Sequence, residues 1–269
     1  MQPAEGMPFW AGCKPAPTIK GCKPAPTVKG SSLAPPSRVQ ACPHHQGSKP
    51  TTGLMHTVGI ILAGGASQRM RLPAGTGKAG VALAGRSLLE HVCRAVRPEV
   101  GRLVVVAAPD QPLPDVHGVD EIIRDSRPGA GPLAGVADGL RAAGTAADGV
   151  FVASCDVPLL APAVVRLLLA AVGQPGVMWA VPMVGGHPQV LVSAMQTGLL
   201  APIDAHLASG RRDPRGLLEH LQASGGLRLL TEQEVAEVDP ALVSFTDADS
   251  PEDVARLEAI LPRFPPSRA

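Results

Sequence analysis

The chain of 269 residues has no tyrosine, four phenylalanines and two tryptophans, so aromatics make up only 2% of it. A platform that stacks single-stranded nucleic acid needs aromatic faces, and this composition cannot supply one. An excess of one charge is missing too: the formal net charge is +1. The charge is unevenly spread, with six Lys and Arg against one Glu in residues 1–55 and a mildly acidic remainder. A basic tail on an acidic body leaves no nucleic-acid footprint on the body. Long hydrophobic runs are absent as well, since none reaches the ~18–20 residues of a membrane span, and the N-terminus lacks the apolar stretch of a signal peptide. The five cysteines, Cys13, Cys22, Cys42, Cys93 and Cys155, match neither a disulfide framework nor a zinc spacing. Reduced thiols in a cytoplasmic protein are the expectation.

What is present divides near Met55. Residues 1–55 hold a nine-residue duplication, GCKPAPTIK at 12–20 and GCKPAPTVK at 21–29, among Pro, Ser and Gly. Such composition buries too little apolar surface to offset its ordering entropy, so a disordered extension is expected there. Cys13, Cys22, Cys42, His44 and His45 gathering a metal is the other reading, and Met55 as the natural start of translation is a further expectation. From residue 56 to 264 a single domain is expected. Short β-branched runs at 58–62, 103–107, 122–123, 150–153, 177–181 and 227–230 read as buried strands. Helical spacing covers 87–96, 132–143, 162–172, 197–208, 215–223 and 251–261. Ser87 with Glu90 forms a capping-box pattern, and Pro162 stands where a first turn tolerates proline. Alternating strand and helix implies an α/β, Rossmann-like three-layer sandwich with a mostly parallel sheet. Ligands of such sheets bind at the carboxyl ends of the strands.

Four segments fall at those ends. The first strand runs into LAGGASQRM, followed by Lys78. Gly64 and Gly65 allow close backbone approach to a ligand, and exposed N–H groups there make an anion-binding concavity. Arg69 can fork onto phosphate oxygens and Lys78 adds a point charge. Lys78 is the only lysine in residues 56–269, against 17 arginines; it reads as a site ammonium or as an ordinary surface residue. The loop is no Walker A motif, because Leu72 and Ala79 stand where Gly and Ser or Thr are needed. No GxGxxG follows the strand, and the GxSxG nucleophile elbow is not met. In Ser154-Cys155-Asp156-Val157-Pro158, Asp156 can hold Mg²⁺ against phosphates or belong to a helix N-cap region. Gly131 and Gly135 of GPLAG can let a base lie on backbone, with Asp125 accepting from ribose or base, or can serve tight packing. In Asp247-Ala-Asp249-Ser-Pro251 the acids can serve a site or a helix N-terminus.

In this order and spacing, LAGGASQRM with its lysine, GRSLLEHV, GPLAG, CDVP and DADSPED resemble the molybdenum cofactor guanylyltransferases, a branch of the sugar-nucleotide-type nucleotidyltransferases. The resemblance spans about residues 58–261. It implies transfer of GMP from Mg-GTP to the terminal phosphate of molybdopterin or molybdenum cofactor, with release of pyrophosphate. It also implies that Leu62, Ala63, Gly64 and Gly65 contact the nucleotide, that Arg69 and Lys78 act on the phosphates, and that Asp125 and Gly131 meet the guanosine. Asp156 would bind the Mg²⁺, with Asp249 or Asp247 as a second metal-side carboxylate. Acceptor molybdoenzymes or their chaperones are implied partners. Arg211 and Arg212 read as ligands of the acceptor phosphate or as surface helix caps. The chain departs from the family where RMG-Asp-Lys becomes Arg69-Met70-Arg71 and a longer run to Gly77-Lys78. A related enzyme using CTP, UTP or another phosphate acceptor, and a non-catalytic nucleotide-binding protein, are the alternatives.

Overall fold

The structure is a computed structural model in which residues 56–64, 70 and 77–261 are described. The expectations for residues 1–55, the start at Met55 among them, lie outside the described residues, as do those for Gly65, Arg69 and Arg71. Strand β1 (Thr57–Leu62) is followed by the short pair β2 (Ala82–Leu83) and β3 (Arg86–Ser87), then helix α1 (Leu88–Val96). Next come β4 (Arg102–Ala107), β5 (Glu121–Arg124), α2 (Pro132–Ala143), β6 (Gly149–Ser154) and α3 (Pro162–Val172). The chain continues through β7 (Trp179–Val184), β8 (His187–Pro188), β9 (Val192–Met195), α4 (Leu200–Ala208) and α5 (Arg215–Ser224). It ends with β10 (Leu227–Leu230), α6 (Glu232–Ala236) and α7 (Pro251–Glu258).

The main sheet runs β10-β7-β9-β6-β1-β4-β5, with the short β8 also paired to β7. β1 pairs parallel with β4 and with β6, β4 with β5, and β10 with β7. The sheet is therefore mostly parallel, as expected, with β8 and β9 reversed. β9 lies antiparallel between β6 and β7. Periodicity does not announce it, because four buried residues with no polar alternation give no strand period. The Gly185-Gly186 turn, with φ of 58° and 76°, closes a hairpin onto β8, where Pro188 is tolerated at an edge. The strand expected at 177–181 begins at Trp179, and the helix expected from 197 opens with a 3-10 turn before α4.

Alternation along β1 makes the layers. Val58, Ile60 and Leu62 face one apolar cluster with α2, α4 and α5, while Ile61 and Ala63 face another with α1 and α3. α2 lies close on β1 because it has Gly where they meet. A Cβ at Gly139 would come within 2.6 Å of Ile60 Cγ2, and one at Gly135 within 3.2 Å of Leu62 Cδ2. α7 packs separately against β2 and α1 through Leu83, Leu88, Ala248 and Leu257. No helix among the described residues is long and apolar enough to cross a membrane.

β9 is held by a buried polar contact. Trp179 Nε1 donates to Ser193 Oγ at 3.0 Å, and Ser193 Oγ donates to the Val190 carbonyl at 2.7 Å. Trp179 and Ser193 are both fully buried. Replacing Ser193 by Ala orphans a buried indole N–H, so urea unfolding should show a loss of about 1–3 kcal/mol.

Candidate active site

The order in which strands are added to the sheet reverses between the parallel neighbours β1 and β6: β4 and β5 lie beyond one, and β9, β7 and β10 beyond the other. Open α/β sheets bind ligands in the crevice at the carboxyl ends of the strands flanking such a switch. The loop after β1 begins at Ala63 and the loop after β6 at Cys155, so both expected segments open into this crevice. The main chain there is stitched together. Cys155 N donates to the Leu62 carbonyl at 3.0 Å, and Ala63 N donates to the Val106 carbonyl at 2.8 Å.

Lys78 begins a 3-10 turn after the loop, and its ammonium enters the crevice. Its Nζ lies 3.3 Å from Asp156 Oδ2 and is also hydrogen-bonded to Asp249 Oδ1. These three groups come from positions 78 and 171 residues apart along the chain. All three side chains are about four-fifths or more shielded from solvent. The structure also takes the helix-cap reading away from each acid. Ala161 is the N-cap of α3, so Asp156 is five residues too early to cap it. Ser250 is the N-cap of α7 and closes a capping box with Asp253, which leaves the Asp249 carboxylate to Lys78. Ala248 N donates to the Asp156 carbonyl at 2.7 Å, tying the two acidic loops together.

Three carboxylates now stand around one ammonium. Burial lowers the Lys78 pKa, but the Asp249 hydrogen bond and the charges of Asp156 and Asp249 outweigh it and hold it above the ordinary 10.5. Burial and the charges of Asp156 and Asp249, opposed by Lys78, push Asp247 from 3.8 to about 6. The surplus of negative charge and the hard oxygen donors suit a divalent cation of the Mg²⁺ type. Among the described residues no three His, Cys, Asp or Glu side chains form a closed metal cluster. Two carboxylates such as Asp156 and Asp249 are a donor set that would leave further positions on such a cation to phosphate and water.

Asp125 and Gly131 lie on the same rim but apart from that cluster. Asp125 N donates to the carbonyl of Ala107 at the end of β4, and its Oδ1 accepts from Arg127 N at 2.8 Å. Gly131 precedes α2 with φ 90° and ψ 173°, a conformation that is essentially glycine's alone. Gly135 turns inward onto Leu62 and Val106, so its hydrogen serves helix packing rather than a base. The Leu62 side chain is buried, while Gly64 is exposed at the crevice. Arg212 reaches the Gly129 carbonyl at 3.0 Å, which brings the Arg211–Arg212 segment beside the GPLAG loop. Gln111 is a member of the site that the sequence motifs do not reveal. Its Oε1 accepts from Ala108 N at 3.1 Å and its Nε2 donates to the Ala63 carbonyl at 2.9 Å. It also fills the space a Cβ at Gly77 would need. A lone Gln in a Pro-rich stretch gives no sequence signal for that role. Ser87 caps α1 as expected, but Glu90 pairs with Arg86 at 3.3 Å instead of completing the box.

Comparison with known proteins follows the same outline. The family described as the MobA-like NTP transferase domain matches residues 59–234. A molybdenum cofactor guanylyltransferase of Cereibacter sphaeroides is 33% identical over 213 residues, which cover 77% of this chain and 98% of that protein. One from Desulfosudis oleivorans is 30% identical over 204 residues, covering 76% and 95%. Among solved structures, molybdopterin-guanine dinucleotide biosynthesis protein A from Archaeoglobus fulgidus superposes with a TM-score of 0.62 at 23% identity, covering 76% of this chain and 97% of that one. The 2-C-methyl-D-erythritol 4-phosphate cytidylyltransferase of Thermus thermophilus gives 0.54 at 22%, covering 75% and 97%. These two likenesses show the fold.

Two measurements test the electrostatics. The folded Asp247 carboxyl holds its proton to higher pH than the unfolded one, so stability should fall as pH rises from about 4 to about 6 and level off above. Asp247→Asn should remove that slope in thermal unfolding across this range. Burial pushes the thiols of Cys93 and Cys155 up to about 12, so neither serves as a nucleophile. Peptide mapping after alkylation at neutral pH should find both unmodified in the native protein and both modified after denaturation.

Proposed function

The chain belongs to the molybdenum cofactor guanylyltransferase family of MobA-like NTP transferases, and from the crevice geometry we propose that it transfers GMP from GTP to the phosphate of molybdopterin or molybdenum cofactor. The observation that carries the reading is the placement of Lys78 between Asp156 and Asp249 at the carboxyl ends of β1 and β6. Nucleotidyl transfer asks for positioned positive charge and in-line geometry, with little covalent help from the protein. An acceptor phosphate is already ionised at neutral pH, so its oxygen attacks the α-phosphorus without a side-chain base. The new P–O bond makes the guanine dinucleotide, the α–β bridge breaks, and pyrophosphate leaves with the electron pair.

Each residue of the site then has a task, those of Gly65 and Arg69 resting on the LAGGASQRM motif alone. Lys78 gives its charge to the triphosphate, with Gly64, Gly65 and Arg69 in the loop that cradles it and Leu62 and Ala63 fixing where that loop starts. Asp125 and the backbone at Gly131 receive the guanosine. Asp156 would hold Mg²⁺, with Asp249 as the second carboxylate; an ion bound there would supply charge neutralisation to the phosphates. Arg211 and Arg212, beside the nucleoside loop, are placed to meet the acceptor. Two buried, free thiols, Cys93 and Cys155, support a cytoplasmic setting. Delivery of the product to a molybdoenzyme or its chaperone completes the proposal.

The test is incubation of the enzyme with molybdenum cofactor, Mg²⁺ and GTP, CTP or UTP in turn, with pyrophosphate release and the dinucleotide product both measured. GTP should give the guanine dinucleotide, and Asp156→Asn should lower kcat/KM by about 10²–10³-fold at unchanged melting temperature. Product only with CTP or UTP would reject the nucleotide assignment, and full turnover by Asp156→Asn would reject the metal assignment.

A further inference from the structure

Asp138 is an acid on the sheet-facing side of α2, only 8% exposed. A carboxylate that far from water is stable only when its oxygens are well used. Its Oδ2 accepts from the backbone N–H of Ser126 at 2.7 Å. Its Oδ1 accepts from the Ser126 hydroxyl at 2.8 Å and from Arg141 Nη1 at 2.7 Å. One helix residue therefore grips, by main chain and side chain together, the residue that follows Asp125.

The segment it grips has little stiffness of its own. Residues 126–131 read SRPGAG, and Gly129 and Gly131 both sit at positive φ. Two further ties hold the same segment. Arg127 Nη2 donates to Asp204 Oδ1 at 3.0 Å, and Asp204 is also held by Arg141 Nη2 at 2.6 and 2.7 Å. Partial burial opposes ionisation of Asp204, but the hydrogen bonds and charges of Arg141 and Arg127 hold its carboxyl below the ordinary range. Arg212 fixes the Gly129 carbonyl. The ties on Ser126 and Arg127 meet at Arg141, which bonds to both Asp138 and Asp204. Asp125 sits at the start of the clamped loop, with Oδ1 spent on Arg127 N and Oδ2 without a hydrogen-bond partner among the described residues.

We infer that Asp138 is a positioning residue for nucleotide recognition: through Ser126 it aims the Asp125 carboxylate and the Gly131 backbone at the nucleoside. The inference rests on the reading that Asp125 meets the nucleoside of the bound nucleotide. Asp138 touches no ligand. Its contribution is to remove, before binding, conformational freedom that the loop would otherwise lose on binding. The effect therefore falls on nucleotide affinity and leaves the chemical step alone.

The experiment is equilibrium titration of GTP with Mg²⁺ onto the full chain, with kcat and KM measured alongside, for wild type, Asp125→Ala, Asp138→Asn, Ser126→Ala and the Asp125→Ala/Asp138→Asn double variant. Asp138→Asn keeps the shape of the side chain but loses an acceptor, and should weaken GTP by about tenfold, the scale of one hydrogen bond to a charged group. It should raise KM with kcat within about twofold. Ser126→Ala probes the same clamp from the loop side and should weaken GTP by about threefold, because it removes the hydroxyl bond and leaves the backbone bond to Asp138 in place, even if Asp138→Asn folds poorly. The double variant should bind no more weakly than Asp125→Ala alone, because the clamp acts through Asp125. Multiplying losses in the double variant, or wild-type affinity in both Asp138→Asn and Ser126→Ala, overturn the positioning role. Wild-type affinity in Asp125→Ala overturns instead the nucleoside contact on which it rests.

Discussion

The ammonium of Lys78 between Asp156 and Asp249 joins three loops that share no secondary structure. Without it, the acidic loop after β6 and the acidic loop before α7 would face each other with Asp247 beside them, and like charges at that range repel. With it, the loops close on each other through the Ala248–Asp156 backbone bond. The same cluster gives the crevice its chemistry, because a site that holds one cation among several carboxylates is already shaped for a second.

The cluster stands where it does because of β1. That strand is paired on both sides by parallel neighbours and covered on both faces, so its carboxyl end is held from every side. Gly135 and Gly139 bring α2 down onto it and place the N-terminus of α2, with Gly131, over the same rim. The loop that leads to Lys78 and the Gly131 loop are thus both placed by one strand and the helix lying on it. Chemistry that depends on positioning has a rigid element beneath it.

Periodicity and punctuation by themselves determined much of this. The apolar runs of β1, β4 and β6 and the spacing of α1, α2 and α3 are local, and local signals can be read without the fold. The absence of lysine after residue 55 except at 78 marked one cation out of many, and the DADSPED segment carried its acids openly. Composition also excluded nucleic-acid stacking and membrane spans, because both need residue types or apolar runs that the chain lacks. Tertiary structure decided the rest, because each remaining point is a contact between distant segments. β9 is a strand only because β6 and β7 offer it partners, and four buried residues carry no period to reveal that. Asp249 rather than Ser250 faces Lys78 because Ser250 and Asp253 satisfy the helix end between themselves. Gly135 serves packing because Leu62 lies beneath it, Gln111 matters because the Ala63 carbonyl comes within its reach, and Asp138 is a clamp because the loop after β5 folds back over α2. A sequence states which groups are available; which of them share a few ångströms of space is settled by packing.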